Sequence, residues 1–406
     1  MYKIFKRIAI VVSSVLLAAC GSDNQPQPNI VQQQLQDVLV SKYAAYTSAN
    51  NLPENAGALV YIHTPNGVSV ATAGFSSHVN ENYHFRIASN TKTFTAAAIM
   101  LLDQQKRLNI DDHVTDTIPN KAIPYLPTSP SYQIPYKSSI TIKQLLSHRA
   151  GVFDVTNDPV PPSSNAVYAG KTYVEEYIYK TLGDGDHQFT FDELVGVNAV
   201  NQLSYWPPDG GYHYSNTGYS LLAVIIERVT GQSYGQFIAE TFFAPMGLNA
   251  TSAPWSSNER ALPQPFMRGF SNTGDGYRET TEDNMSANVA EGNIISTAAD
   301  LATWIRTLLT GNGPVNKSQV ARMITIPPGN EQKQYALGIS RYADIGYGHT
   351  GAHMGYMSLS AYNPQDNLTV VVFLPFLDFT KVDKQGEFLL GLGKEARKIA
   401  GHMEPW

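Results

Sequence analysis

The stretch FRIASNTKTF, residues 85–94, sets Ser89 three residues before Lys92 and opens onto the apolar run TAAAIMLLDQQ. Residues three apart on a helix share a face, so Lys92 can reach the Ser89 hydroxyl. A free hydroxyl attacks carbonyls poorly without a base, and a lysine in a mostly buried helix needs partners. Each residue supplies what the other lacks. The plainer reading of Ser89 is a helix cap, a role serine often takes. A bare Ser-x-x-Lys match is weak, since about one arises by chance in a chain of this length.

Two further strings change the balance. GYHYSNTGYSLL (211–222) places Tyr214, Ser215 and Asn216 ahead of an apolar helix, and YGHTGAHMGYMSLS (347–360) places His349, Thr350 and Gly351 ahead of an alternating β run. In this order the three strings resemble the serine penicillin-recognising hydrolases of the β-lactamase-like superfamily: Ser-x-x-Lys, then Tyr-x-Asn, then Lys-or-His-Thr-Gly. The tyrosine of the second motif points to the branch of class C β-lactamases and D-alanyl-D-alanine carboxypeptidases. LLSHRAGVFDVTND (145–158), FFAPMGL (242–248) and GNIISTAADLATW (292–304) extend the resemblance over about residues 30 to 400. The chain also resembles the secreted Streptomyces D-alanyl-D-alanine carboxypeptidase, which has SHRSG where this chain has SHRAG and carries histidine in its third motif.

The resemblance implies an active-site serine hydrolase that works through an acyl-enzyme; no metal-ligand spacing, Gly-rich phosphate loop or cofactor signature stands in the sequence, so no cofactor or metal is expected. Ser89 is the expected nucleophile, with the positive end of its helix nearby. Lys92 either relays the serine proton or holds Tyr214 ionised or strongly polarised; an unperturbed phenol, with a pKa of about 10, is a weak base at neutral pH. Tyr214 is expected to pass protons between Ser89 and the leaving group. Asn216 suits the acyl-side amide of a substrate, or else caps the following helix. His349, where class C β-lactamases have lysine, titrates near 6.5 when unperturbed and is expected either to assist proton delivery, giving activity a pH limb, or merely to bridge strands. Thr350 and Gly351 are expected to bind substrate, and the resemblance makes the backbone amides of Ser89 and Ala352 the oxyanion hole.

Two departures bear on the substrate. The Streptomyces enzyme has a hydroxyl where Ala352 stands, and its carboxylate-binding arginine aligns with Ser340. Arg341, one residue later, serves only if a bulge turns it inward. Expected substrates are therefore a peptidoglycan peptide or a small peptide, ester or β-lactam, cleaved by a carboxypeptidase first and by a β-lactamase or esterase second. A third alternative is a penicillin or wall-peptide sensor that acylates without turnover.

The 406 residues are 43% hydrophobic and 15% charged, with a formal charge of −6 and no basic run, which argues for a globular chain and against a nucleic-acid partner. The N-terminus has a basic head, an apolar stretch from Ile8 to Ala19, and LLAAC ending at Cys20, the single cysteine. This resembles a lipoprotein signal, so residues 1–19 are expected to be a leader, Cys20 the lipidated membrane anchor and residues 20–33 its tether, placing a monomer in the bacterial cell envelope, leaning toward the periplasm or outer membrane.

The remaining pattern is α+β. A helix is expected from Ile30, then strands GALVYIHT (57–64) and GVSVATAGF (67–75) joined by a PNG hairpin, then the Ser89 helix. Helices and Pro-rich loops fill about 106–330, strands return at QYALGISRY, YMSLSAYN and NLTVVVFLPF, and KQGEFLLGLGKEARKIA makes a last helix. The expected architecture is one antiparallel sheet built from both chain ends and flanked by terminal helices, with an inserted helical lobe in a domain over 34–402 and the site between the two.

Overall fold

The computed structural model describes residues 30–400. The leader and Cys20 lie outside the described residues; the helix expected from Ile30 is present, and it takes in residues 30–33, which the expected tether bounds also include. The strands are β1 (Ala58–Thr64), β2 (Gly67–Ala73), β3 (Phe85–Arg86), β4 (Phe270–Asn272), β5 (Tyr277–Glu279), β6 (Ile295–Ser296), β7 (Ser340–Tyr342), β8 (Gly346–His353), β9 (Tyr356–Asn363), β10 (Leu368–Leu374) and β11 (Phe376–Asp378). The α-helices are α1 (Ile30–Ala49), α2 (Thr91–Gln104), α3 (Ile142–Leu146), α4 (Phe191–Asn201), α5 (Asn216–Thr230), α6 (Tyr234–Ile238), α7 (Ala298–Thr310), α8 (Lys317–Ile324) and α9 (Val382–Ile399).

The expected sheet from both chain ends is present as an antiparallel array in the order β2-β1-β10-β9-β8-β7. Side chains alternate across a strand, so each central strand serves two cores. Val60, Ile62, Val370 and Val372 join Leu389 and Leu392 of α9 on one face, whereas Leu59, Tyr61, Val371 and Phe373 join α2 and α7 on the other. The PNG turn closes β1 onto β2 with Thr64 opposite Gly67, whose φ of +126° a side chain would resist.

Helix α1 has a function that hydrophobic spacing does not reveal. Its Gln32 amide bonds both the carbonyl and the N–H of Val70 (2.6 and 2.8 Å), and Gln36 does the same at Thr72 (2.8 and 3.2 Å). The outer edge of β2 is thereby closed to other strands.

The stretch QYALGISRY departs from the expected strand: the ladder is confined to Ser340–Tyr342, with one isolated bridge from Tyr335 to Ser340. Upstream, the chain is pressed against α2, where a Cβ on Gly338 (φ +72°) would stand 2.3 Å from that of Ala96. The lobe also holds elements that sequence periodicity missed, including α4, α8 and a π-helical stretch at Tyr173–Thr181.

Candidate active site

Ser89 is not on α2 itself. Strand β3 pairs with β6, Ile87 donates to the Ile294 carbonyl (3.1 Å), and Ala88 turns left-handed at φ +48° to start a single 3-10 turn, Ala88–Asn90, that leads into α2. A non-glycine residue in that region is held there by its surroundings. The clamp is Asn90: its amide donates to Ser358 Oγ (2.8 Å) and accepts from Ser360 Oγ (2.5 Å), while Ser358 Oγ donates to the Ile87 carbonyl (2.8 Å). The nucleophile turn is thus tied to β9 of the sheet.

Lys92, in the first turn of α2, is fully buried. Its Nζ lies 3.2 Å from Ser89 Oγ, 2.7 Å from Asn216 Oδ1, 2.9 Å from the Glu291 carbonyl and 3.2 Å from Glu291 Oε2. Burial pulls the ammonium below its ordinary range, opposed by the Glu291 charge.

Tyr214 and Asn216 are set by the start of α5, where Ser215 caps the helix by accepting from the Gly218 N–H (3.1 Å). Asn216 is locked from three sides: Oδ1 takes Lys92, Nδ2 donates to Thr156 Oγ1 (2.9 Å), and its backbone N–H donates to buried Asp154 (3.1 Å). Burial drives the Tyr214 phenol well above 10, against the lowering effect of its hydrogen bond with Ser89. A standing Tyr214 phenolate, one of the two states open to Lys92 and Tyr214 in the sequence, is therefore disfavoured. His148 is a buried imidazole ringed by tyrosines, 4.3 Å from Tyr214 between ring centroids, and burial pushes its pKa far down. Its Nδ1 accepts from the Ser215 N–H (3.1 Å), so it holds the extended segment that delivers Tyr214.

The third motif lies within β8. His349 Nε2 accepts from the Tyr335 hydroxyl (3.1 Å) and Nδ1–H donates to the Thr350 carbonyl, while burial pushes the imidazole down to about 3. The expected pH limb from His349 is thereby corrected: the ring is already neutral above pH of about 4. We expect His349→Gln to keep whatever limbs kcat/KM shows between about pH 5 and 8; a limb near 6.5 that vanishes in this variant would show a titrating ring. Thr350 is engaged by Tyr342, whose hydroxyl accepts from the Thr350 N–H (2.8 Å) and donates to Oγ1 (3.3 Å). Gly351 is packed against the Ile87–Ala88 backbone, and Ala352 is exposed at the cavity. Arg341 sits on β7 opposite Tyr347 and does not line the cavity.

These elements enclose a cleft of about 410 Å³ whose lining includes Ser89, Tyr214, Asn216, His349, Thr350, Gly351 and Ala352. It also includes Glu175, Asp283, Glu291 and His353, which sequence motifs did not single out as site residues. His353 Nε2 meets Asp283 at 2.9 Å. No lysine or arginine is among the described lining residues, Lys92 lying beneath the floor. Among the described residues no cluster of acidic, histidine or cysteine side chains could hold a metal, and no helix is long and apolar enough to cross a membrane.

Comparison with known proteins gives three kinds of likeness. A model of the family described as Beta-lactamase matches residues 51–385. Penicillin-binding protein 4* of Bacillus subtilis (strain 168) is 33% identical over 184 residues, 45% of this chain and 33% of that protein. Protein flp of Staphylococcus aureus is 32% identical over 169 residues, 41% of this chain and 28% of that protein. The aligned part thus spans about a third or less of these curated relatives. Among solved structures, a D-stereospecific amidohydrolase from Streptomyces sp. is similar with a TM-score of 0.68 at 25% identity, covering 85% of this chain and 94% of its own. D-amino acid amidase from Ochrobactrum anthropi SV3 shares the fold with a TM-score of 0.67 at 21% identity, over 90% of this chain and 99% of its own.

Proposed function

We propose, from the fact that this chain belongs to the beta-lactamase family, that it is a serine hydrolase forming an acyl-enzyme on Ser89 and cleaving amide bonds beside a D-configured residue. The observation that carries this reading is the meeting of Ser89, Lys92, Tyr214 and Asn216 around one cleft whose described lining has three carboxylates and no lysine or arginine. A terminal carboxylate would find no fixed cation there, whereas a neutral amide or a free amine meets no repulsion. The D-stereospecific amidohydrolase among the structural neighbours supports the same substrate class. D-alanyl-D-alanine carboxypeptidase is the second reading, favoured by the Tyr-x-Asn and His-Thr-Gly strings and the penicillin-binding relative. The lipoprotein-like string LLAAC supports a further proposal, an envelope location through lipidated Cys20.

The chemistry follows from proton positions. Lys92, its pKa drawn down by burial, takes the Ser89 proton as Oγ attacks the substrate carbonyl. The backbone amides of Ser89 and Ala352 receive the oxyanion. Tyr214, a neutral phenol, gives its proton to the departing nitrogen. Water then attacks the acyl-enzyme, returning a proton to Tyr214, and Lys92 returns one to Ser89.

The test is to mix the purified protein, and its Ser89→Ala variant, with D-alaninamide, a D-Ala-D-Ala peptide and benzylpenicillin, following products and intact mass. Ser89-dependent amide hydrolysis supports the amidase. Preferential release of D-alanine from the peptide moves the assignment to the carboxypeptidase, and rapid penicillin loss without an adduct moves it to a β-lactamase. A lasting adduct with no turnover marks a sensor. Equal activity of the Ser89→Ala variant overturns the reading altogether.

A further inference from the structure

The Lys92 nitrogen has more acceptors around it than hydrogens to give. An ammonium has three hydrogens and no acceptor capacity. Two of its contacts, Asn216 Oδ1 at 2.7 Å and the Glu291 carbonyl at 2.9 Å, are carbonyl oxygens that can only accept, so they take two N–H bonds in either protonation state. The third valence is contested by Ser89 Oγ and Glu291 Oε2, each at 3.2 Å, and both of these can hold a proton themselves. With the proton on nitrogen, the lysine is no base for Ser89. With it on the carboxylate, the nitrogen lone pair faces the serine O–H.

We propose that Glu291 is a positioning residue for protons: it takes the third proton of Lys92 and so frees the neutral amine to act on Ser89. This rests on the reading of Ser89 as nucleophile. The site favours the exchange, because side-chain exposure is 0% for Lys92 and 3% for Glu291, and a dry site penalises separated charges. Asn288 Nδ2 holds Glu291 Oε1 at 2.6 Å, keeping Oε2 toward the amine. The step is balanced: an Nζ–H bond breaks as an O–H forms on Glu291, then Ser89 O–H breaks as Nζ–H re-forms and Oγ bonds to the electrophile.

The groups facing the pair do not supply this proton acceptor. Tyr214, Tyr219 and Tyr234 are held as neutral phenols by burial, and His148 and His349 as neutral imidazoles. Asp154 is the other carboxylate near Lys92, but it is occupied by Thr156, Asn157 and the Asn216 N–H, and no hydrogen bond to Lys92 is among its contacts.

The test uses the rate of Ser89 phosphonylation by an alkyl fluorophosphonate, which requires an activated serine but neither the natural substrate nor a protonated leaving group. In the wild type the pair exchanges its proton internally, so the rate is expected to be flat from about pH 5.5 to 8.5. In Glu291→Gln, neutral Lys92 must be made by loss of a proton to solvent. Below that titration the rate should fall about tenfold per pH unit, recovering to within about threefold of wild type by about pH 9. A deficit equal at all pH values would mark a structural role, and a loss confined to alkaline pH would mark an ammonium as the active form; either overturns the proposal. Should Glu291→Gln not fold, Asn288→Ala serves: losing the bond to Oε1 raises the Glu291 carboxyl and frees it to turn from the amine, so the acid limb should move up, and an acid limb that stays in place overturns the proposal. Failure of every D-amide to be hydrolysed while Ser89 is still phosphonylated would count against the substrate assignment alone; a wild-type Ser89 that is never phosphonylated overturns both.

Discussion

Lys92→Met is expected to lose about a thousandfold in kcat/KM and about 3–5 kcal/mol of stability, because one side chain serves the chemistry and neutralises a buried carboxylate. The substitution keeps the volume of the chain but removes the donor to Ser89, Asn216 and Glu291 together. Glu291 is already raised by burial and restrained mainly by the Lys92 charge, so without it the carboxyl rises further. A folded-state pKa above the unfolded value means that the folded protein binds the proton more tightly, so stability increases as pH falls. The stability deficit should therefore be largest at about pH 8 and shrink toward about pH 5, as melting curves at the two pH values would show. A deficit that is the same at both would mean that the lysine and glutamate are not coupled.

The contrast between what the chain discloses and what it conceals follows from how the site is assembled. Ser89 and Lys92, Tyr214 and Asn216, and His349 each sit in a short string whose spacing has meaning by itself, and the sheet follows from period-two runs such as ALVYIHT and LTVVVFL. Glu291 has no such string. It lies 199 residues from Lys92, immediately before GNIISTAADLATW, and only the fold brings the two side chains together. Asp154 likewise reaches Asn216 across 62 residues. The behaviour of His349 and Tyr214 was hidden for a different reason: residue type gives a reference pKa, and burial, a property of the packed structure, moved both toward their neutral forms. Gln32 and Gln36 escaped because an apolar count treats them as surface, whereas here they close a sheet edge.

Gly351 shows how a residue legible in the motif can act through packing. Its expected use was close approach of a substrate, but the space beside it is filled by the protein: a Cβ would stand 2.4 Å from the Ile87 carbonyl oxygen, 2.6 Å from Ser358 Oγ and 3.0 Å from the Ala88 Cβ. Ser358 can rotate, but the Ile87 oxygen is backbone, fixed by its bonds from Ser358 and Asn90 (2.8 and 3.4 Å) and followed two residues later by Ser89. Either β8 or the nucleophile turn must therefore move. Gly351→Ala is expected to cost about 1–3 kcal/mol from overpacking. It should also lower kcat/KM by about a hundredfold, the order of loss for a reacting group displaced by about 1 Å. Gly391→Ala is the matching control: it lies inside α9 with no atom within 4 Å of an added Cβ, so the methyl should stabilise the helix and leave kcat/KM unchanged. Thermal melting and steady-state kinetics on both variants separate the two effects. A Gly351→Ala protein that melts and turns over like the wild type would mean that β8 is not seated against the Ser89 turn; one that loses stability but not activity would mean that the strain is absorbed by the strand.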